Sequence, residues 1–231
     1  MAATALIVAG GVGRRMAGKV RKQYRLLNDT PIVGHPLRIF DHTDLVQTVV
    51  LVVPPADVDF VEKRLLPSLA LSRRVQVVCG GGERQESVYN GLCHVSDQDQ
   101  LVVIHDGVRP FVPMENLRRC LQAAREKGAA ILAVPMVDTL KKTSLDQQVT
   151  ATLPREGLWQ AQTPQVFQIE LIREAHRMAR AAGYRGTDDA DLVQKMGQPV
   201  WIVPGRRDNI KITTRDDLIL AEALCGCCER I

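Results

Sequence analysis

Short, nearly continuous apolar runs recur along the 231-residue chain, and segments with helical spacing lie between them. Each run is rich in β-branched residues, and the runs cover residues 5–9, 49–53, 75–78, 101–104, 130–134 and 200–203. Strands that are buried on both faces have this composition. Strands that alternate with helices predict βαβ units. We therefore expect one α/β domain over residues 1–231, with a doubly wound, mainly parallel sheet.

The helical segments are identified by apolar residues three or four positions apart. Residues 57–69 and residues 114–127 both show this spacing, and Gly128 follows the second segment. A glycine directly after the last periodic residue is a common helix end. Both segments are predicted to be helices that cover the sheet.

Residues 138–158 interrupt the alternation with polar residues at strand-like spacing. The positions with this every-second-residue spacing are Thr139, Lys141, Thr143, Val149, Ala151 and Leu153. Residues 146–148 are polar and could form the turn between two strands. The pattern predicts a protruding β-hairpin arm that is too polar for the core. It fits either a plain surface hairpin or an arm that packs on another subunit.

Composition narrows the classes of partner. The net charge is +4 and aromatic residues make up 4% of the chain, which argues against a nucleic-acid-binding surface. No apolar run approaches the length of a membrane span. Six scattered cysteines without a secretory leader favour a reduced, cytoplasmic protein. Cys225, Cys227 and Cys228 lack a fourth metal ligand nearby, so we expect them to lie at a helix end.

A glycine-rich segment follows the first predicted strand. Ligands of parallel sheets bind beyond the carboxyl ends of the strands, where glycines let backbone N–H groups approach phosphates. Residues 9–13 have this placement, although a purely structural turn would look the same. Met16 stands where the dinucleotide fingerprint requires glycine, which disfavours a dinucleotide-dependent oxidoreductase.

Positive charge is concentrated directly after this glycine segment. Residues 14–25 contain six lysines and arginines and no acid, so the rest of the chain carries a net charge of −2. A solvated basic helix face is one interpretation. The alternative is a polyphosphate site, because cations stabilise the charge that builds up on phosphates during transfer.

Two further strand ends carry candidate ligand groups. Residues 80–82 are three consecutive glycines before a helix, which suggests a close approach or simply a sharp turn. Asp106 ends the fourth core strand, where it could bind Mg²⁺ together with phosphate oxygens or cap the next turn. The neighbouring His105 is interpreted as a packed or hydrogen-bonded histidine.

These segments together resemble the 2-C-methyl-D-erythritol 4-phosphate cytidylyltransferases of the non-mevalonate isoprenoid pathway. The resemblance covers nearly the whole chain and depends on motifs that occur in a fixed order. The motifs cover residues 9–16, 22–24, 80–88, 105–111, 138–139, 155, 158–159, 162–165, 186–189 and 209–213. The chain departs from the usual family pattern at Gly10, where alanine is common, and at Arg21, where proline is common.

The resemblance implies that CTP and the methylerythritol phosphate give a CDP-alcohol and pyrophosphate by in-line attack of the substrate phosphate. It assigns Arg15 and Lys22 to charge stabilisation, and Arg155 and Lys211 to positioning of the attacking phosphate. It implies that the nucleotide is bound by Ala9, Gly10, Gly11, Gly13, Gly81, Gly82, Ser87, Asp106 and Gly107. The substrate would contact Arg109, Thr139 and Thr163, with Mg²⁺ near Asp106 and Asp208.

The resemblance also implies a homodimer in which the arm over residues 138–158 exchanges between subunits. Thr139 and Arg155 would then serve the neighbouring subunit's site. Two alternatives remain open at this point. One is a cytidylyltransferase for another polyol phosphate, such as ribitol 5-phosphate. The other is a catalytically inactive nucleotide-binding protein, against which the joint presence of Arg15, Lys22, Arg155 and Lys211 argues.

Overall fold

The structure is a computed structural model that describes residues 3–11 and 20–228, without the side chains of residues 227 and 228. Its strands in chain order are β1 (Ala3–Val8), β2 (Leu26–Leu27), β3 (Thr30–Pro31), β4 (Thr48–Val53), β5 (Val75–Cys79), β6 (Leu101–Asp106), β7 (Ala129–Pro135), β8 (Leu140–Thr143), β9 (Val149–Leu153), β10 (Trp159–Gln168) and β11 (Trp201–Pro204). Its α-helices are α1 (Gly34–Asp41), α2 (Val58–Phe60), α3 (Leu66–Leu69), α4 (Arg84–Leu92), α5 (Met114–Lys127), α6 (Ile169–Ala181), α7 (Asp189–Lys195) and α8 (Arg215–Cys228).

Seven strands form the central sheet in the order β11-β7-β10-β6-β1-β4-β5. β1 pairs in parallel with β4 and β6, β4 with β5, and β7 with β11. β10 is antiparallel to both of its neighbours, β6 and β7. The predicted mainly parallel α/β sheet is therefore confirmed, and the six apolar runs correspond to β1, β4, β5, β6, β7 and β11.

Sequence patterning did not identify β10. Its first half mixes polar and apolar residues, of which only residues 159–161 are exposed, and Pro164 has no N–H group to donate to a neighbouring strand. The ladder between β10 and β7 shifts register between Ala161 and Gln165, which accommodates this proline. β10 inserts between β6 and β7, and thereby brings Thr163 next to the end of β6.

Alternate residues of the central strands point into two apolar layers, as both faces of a doubly wound sheet require. On one face, Ile7 and Leu51 contribute to a core that also contains Phe40 of α1 and Leu117 of α5. On the other face lies a second core of buried residues, which includes Leu6, Val50, Ile104, Val88 of α4 and Ile172 of α6. A smaller third cluster, which includes Val108 and Ile212, packs beyond the carboxyl end of β6.

The two predicted helices form, one of them irregularly. α5 has the expected bounds and ends at Gly128, which adopts a φ of +89°. The segment predicted over residues 57–69 is helical but not continuous, since a π-helical turn at Val61–Leu65 separates α2 from α3. Pro67 cannot donate a hydrogen bond back to the preceding turn, and such a missing donor favours a wider turn.

The hairpin predicted within residues 138–158 is confirmed. β8 and β9 pair antiparallel, with Lys141 opposite Thr152, and Gln147 adopts a left-handed φ of +64° at the turn. Every side chain of β9 is exposed. The cysteines of the tail lie at the end of α8, as expected. Within the part of the chain that the structure describes, no helix is long and apolar enough to cross a membrane.

Candidate active site

The carboxyl ends of β1, β5 and β6 meet at one edge of the sheet, where they approach one another closely. A Cβ atom added at Gly10, or at Gly80, would lie 2.9 Å from the Ser87 Oγ atom. A Cβ atom at Gly107 would lie 3.1 Å from the Cβ atom of Ala9. Only glycine fits such contacts without displacement. The two glycine segments predicted from the sequence are therefore neighbours, and β6 ends beside them.

Ser87 fixes the conformation of the second glycine loop, residues 80–82, through two hydrogen bonds. Its buried hydroxyl accepts a hydrogen bond from the N–H group of Gly81 at 3.1 Å and donates to the carbonyl of Glu83 at 3.0 Å. The Glu86 carboxylate accepts a hydrogen bond from the N–H group of Gly82 at 2.8 Å. Side chains of α4 thus fix the loop conformation, and the nucleotide-binding roles of Gly81, Gly82 and Ser87 stay predictions.

Gln23 connects the first glycine loop to the segment that begins with Lys22. Its buried side-chain amide donates to the carbonyl of Ala9 at 2.8 Å and to that of Gly11 at 3.3 Å. Lys22 opens the 3₁₀ turn that contains Gln23, so the structure places Lys22 beside the loop. Gly13 and Arg15, together with the rest of residues 12–19, lie outside the described residues.

Asp106 lies at the centre of a cluster of cations. The Lys211 Nζ atom is 2.7 Å from its Oδ2 atom, the Arg84 Nε atom is 3.2 Å from its Oδ1 atom, and the Arg109 Nε atom is 3.7 Å from Oδ2. Burial alone would raise the pKa of Asp106, but the charges of Arg84, Lys211 and Arg109 outweigh it and hold that pKa far below its usual range. Asp106 is a permanent anion that gathers three cations at the sheet edge.

Arg84 lies within the motif at residues 80–88, but the sequence pattern did not identify it as a site residue. Its guanidinium bridges Asp106 and the buried Asp189, whose Oδ2 atom is 2.8 Å from the Arg84 Nη1 atom. Burial lowers the pKa of Arg84, and the two carboxylates more than reverse this effect. Asp189 in turn contacts His176 at 3.2 Å. Only the three-dimensional contact shows that Arg84 links α4 and α7 to the site.

His105 is fully buried between Arg109 and Thr163. Its Nε2 atom lies 3.0 Å from the carbonyl oxygen of Arg109, and its Nδ1 atom lies 3.0 Å from the Thr163 hydroxyl. Burial is the main reason that the pKa of His105 falls to about 4. The ring is neutral at pH 7 and hydrogen-bonded, as interpreted from the sequence. The Thr163 hydroxyl oxygen also accepts a hydrogen bond from the N–H group of Asp106 at 3.1 Å.

A cavity of about 370 Å³ lies beside this cluster, with Arg109, Lys211, Gln162 and Asn209 among its lining residues. The Nε atom of Arg109 is itself buried and lies nearest to the Asp106 carboxylate. Because Arg109 and Lys211 both line the cavity, its wall carries positive charge that would suit an anionic ligand.

The arm holds the two remaining predicted substrate residues. Thr139 precedes β8, Arg155 follows β9, and both are exposed. The Arg155 guanidinium donates to the carbonyl of Val137, which connects the two ends of the arm. The described contacts of Arg155 thus lie within the arm, not at Asp106.

Asp208, predicted to lie near a metal, is paired with Arg206. The Arg206 Nε atom is 3.0 Å from both carboxylate oxygens of Asp208. Among residues 3–11 and 20–228, no three His, Cys, Asp or Glu side chains cluster as metal ligands would. Because Asp106 is also matched by cations, these carboxylates as arranged do not fit a magnesium site held by the protein.

The mainly parallel sheet, the two apposed glycine loops and the cation cluster at its carboxyl edge define a nucleotidyltransferase-like α/β protein. A family model described as 2-C-methyl-D-erythritol 4-phosphate cytidylyltransferase (IspD) matches residues 3–226. The chain belongs to this family.

Relatives agree with that assignment over nearly their whole length. The chain is 48% identical over 219 residues to the 2-C-methyl-D-erythritol 4-phosphate cytidylyltransferase of Syntrophus aciditrophicus, covering 95% of this chain and 94% of the relative. It is 44% identical over 225 residues to the enzyme of the same name from Geotalea uraniireducens, covering 96% of each.

Solved structures show the same architecture. The 4-diphosphocytidyl-2C-methyl-D-erythritol synthase of Anaerococcus prevotii superposes with a TM-score of 0.86 at 30% identity, covering 97% of this chain and 96% of that one. The 2-C-methyl-D-erythritol 4-phosphate cytidylyltransferase of Thermus thermophilus gives a TM-score of 0.79 at 32% identity, covering 98% and 100%.

Proposed function

We propose that the protein transfers a cytidylyl group from CTP to 2-C-methyl-D-erythritol 4-phosphate, giving 4-diphosphocytidyl-2-C-methyl-D-erythritol and pyrophosphate. The observation that carries the proposal is the cation cluster of Arg84, Arg109 and Lys211 around Asp106, in a chain that belongs to this family. The cluster lies next to two glycine loops, so a phosphate donor and a phosphate acceptor can meet there.

The reaction needs positioning and positive charge more than proton transfer. The attacking phosphate is already an anion at neutral pH, so an oxygen of that phosphate attacks the α-phosphorus of CTP and displaces pyrophosphate without a general base. Orientation and fixed cations are the means of lowering such a barrier. No covalent intermediate on the protein is required.

Lys211 and Arg109 are suited to the acceptor side of the site. The Lys211 side chain is 37% exposed and adjoins the cavity, so its ammonium can contact a phosphate while it stays near Asp106. Arg109 also lines the cavity, so its guanidinium adds positive charge beside the acceptor phosphate. Thr163 supports this side of the site from within the protein.

The first glycine loop and Lys22 are suited to the donor side. Gln23 holds the carbonyls of Ala9 and Gly11, and Lys22 precedes it in the same turn. We assign Lys22 and Arg15 to stabilisation of the negative charge on the triphosphate and on the departing pyrophosphate. Gly10, Gly13, Gly81, Gly82, Ser87 and Gly107 complete the proposed nucleotide site.

Mg²⁺ remains the proposed cofactor, but its ligands need revision. The carboxylates of Asp106 and Asp208 are both paired with cations, so they do not fit as joint ligands of a resident ion. Mg²⁺ commonly keeps several waters and binds phosphate oxygens of the substrate. We propose that the ion enters with CTP and is held mainly by its phosphates.

The arm supports a proposed homodimer. Leu145 is fully exposed at its tip, and Val149 and Leu153 of β9 are also exposed. Apolar side chains on a protruding hairpin favour burial against a second copy of the chain. In such a dimer, Thr139 and Arg155 would complete the partner's substrate site.

Pyrophosphate release tests the proposed function. The protein is incubated with CTP, Mg²⁺ and either 2-C-methyl-D-erythritol 4-phosphate or ribitol 5-phosphate. We expect release with the methylerythritol substrate and much less with ribitol 5-phosphate. Release with ribitol 5-phosphate alone would favour the other polyol-phosphate enzyme, and CTP binding without any release would indicate an inactive nucleotide-binding protein.

A further inference from the structure

Four buried residues form a closed ring of hydrogen bonds beneath the cation cluster. Thr163 contacts His105, His105 contacts the Arg109 carbonyl, the Arg109 Nη1 atom donates to the Asn209 carbonyl at 2.7 Å, and the Asn209 side chain donates to the Thr163 carbonyl at 2.8 Å. His105 and Asn209 are fully buried, while Thr163 and Arg109 are at most 9% exposed. All four hydrogen bonds of this ring are buried, so water does not compete for them.

The bond directions follow from the chemistry of the partners. A carbonyl only accepts, so the Nε2 atom of His105 carries the hydrogen that reaches Arg109. In a neutral imidazole the Nδ1 atom is then the acceptor, and the Thr163 hydroxyl donates to it. The Thr163 oxygen remains an acceptor and takes the N–H group of Asp106. One tautomer of His105 thus satisfies every bond.

The ring joins three chain segments that supply the site. His105 and Arg109 flank Asp106 at the end of β6, Thr163 belongs to β10, and Asn209 precedes Lys211 by two residues. Phe40 packs edge-on against the His105 ring, with centroids 5.7 Å apart, which limits rotation of the imidazole. A shift of any one segment would therefore move Arg109 or Lys211 relative to Asp106.

We propose that His105 and Asn209 are positioning residues, which act with Thr163 to hold Arg109 and Lys211 in place for the acceptor phosphate. The inference rests on the proposed cytidylyltransferase function. It assigns the Thr163 hydroxyl hydrogen to His105, so Thr163 acts through its neighbours, with no hydrogen left to donate to the substrate.

The test compares variants that keep shape but remove hydrogen bonds. His105→Phe keeps a planar ring beside Phe40, Thr163→Val removes the hydroxyl, and Thr163→Ser retains it. We expect the first two to raise the KM for the polyol phosphate by about tenfold or more and to lower kcat, with the KM for CTP changed by less than about twofold. Thr163→Ser should stay close to the parent protein.

Thr4→Val provides the matched control for loss of a buried hydroxyl. Thr4 is fully buried and donates to Asp99 at the opposite end of the sheet. This variant should lose stability without a change in either KM. A folded His105→Phe protein with kcat and both KM values within about twofold of the parent would overturn the proposal.

The ring can also be tested in the parent protein without catalysis. Nitrogen-15 NMR of labelled histidine should show His105 as the Nε2–H tautomer at pH 7. The Nδ1–H tautomer would contradict the ring whatever the activity of the variants. If the parent protein releases no pyrophosphate, the proposed function fails, whereas the tautomer still decides whether the ring exists.

Discussion

The Lys211 Nζ atom lies 2.7 Å from the Oδ2 atom of Asp106, which joins a half-exposed cation to a buried anion at the sheet edge. The negative charge of Asp106 holds the ammonium beside the cavity instead of letting it extend into solvent. Because Arg84 also pairs with this carboxylate, Lys211 can contact a phosphate without leaving Asp106 unpaired. In the proposed reaction, this pair would present a positive charge to the acceptor phosphate.

Replacing Lys211 tests this arrangement. Lys211→Gln should lower kcat/KM for the polyol phosphate by about 100-fold or more, because a fixed cation that stabilises transferring phosphate is lost. Steady-state kinetics with CTP in excess would measure the loss. Lys127→Gln is the matched control, since Lys127 lies over the Trp201 ring at 3.7 Å, away from the cavity. Equal kinetics for the two variants would remove Lys211 from the mechanism.

Mixed dimers test the proposed contribution of the arm. Arg155→Ala and Lys211→Gln should each be nearly inactive, since each would damage both sites of a homodimer. If Arg155 serves the partner's site, a dimer of one of each variant carries one site with both residues intact. Mixing the two at equal concentration, with subunit exchange, should restore about a quarter of the parent activity.

The control for this experiment is the oligomeric state. Light scattering should give the mass of two chains for the parent protein and for both variants. A monomeric parent, or exchanged dimers that recover no activity, would argue against the shared site.

The buried His105 should make folding stability depend on pH. Its pKa falls from 6.5 to about 4 in the folded state, so the unfolded chain binds a proton more readily between these values. The contribution of His105 to stability is therefore fully present above the pKa of the unfolded state, and it is lost as the pH falls toward the pKa of the folded state. The expected loss from this group is about 2 kcal/mol between pH 7 and pH 5. Besides burial, three charged groups act on His105: the carboxylate of Asp106 raises its pKa, and the cations of Arg109 and Lys211 lower it.

Urea unfolding at pH 7 and pH 5 measures the effect. The same measurement on His105→Phe should show a smaller decrease, because the titrating group is absent. His35 contributes a decrease of the same sign in both proteins, since burial also lowers its pKa. An identical decrease in the parent and the variant would show that His105 does not have the depressed pKa.

The cysteines should differ in reactivity. Burial raises the pKa of the Cys120 thiol to about 12, and the thiol contacts the Ala130 carbonyl at 3.3 Å. Cys79 and Cys93 are exposed. With a disulfide reagent at pH 8, Cys79 and Cys93 should be modified in the folded protein, and Cys120 only after denaturation. Peptide mass spectrometry would identify the sites, and rapid native modification of Cys120 would contradict its burial.

Local sequence signals predicted the parts of the fold that depend on local rules. Apolar runs identified the parallel strands, Gly128 marked the end of α5, and the position of Asp106 at a strand end indicated a site at the carboxyl edge. Sequence patterning missed β10 because residues 159–165 show no continuous apolar run and include Pro164, features that are typical of loops. Its burial depends on the two strands that flank it, which a linear pattern does not contain.

Long-range contacts account for what the sequence missed in the site. The partners in the buried ring are separated by 58 residues for His105 and Thr163, and by 100 residues for Arg109 and Asn209. Arg84 meets Asp189 across 105 residues. Nothing in the local pattern of Arg84 distinguishes it from a solvated arginine at the start of a helix. The motifs predicted a site at the carboxyl edge of the sheet, whereas the long-range contacts that connect its side chains became visible only in the fold.

In the proposed reaction, an oxygen of the polyol phosphate attacks the α-phosphorus of CTP. The most direct measurement uses 2-C-methyl-D-erythritol 4-phosphate whose phosphate is labelled with oxygen-18, with unlabelled CTP and Mg²⁺, and mass spectrometry of both products. All label should stay in the CDP-alcohol, and pyrophosphate should contain none. Label in pyrophosphate, or the absence of a CDP-alcohol, would contradict it.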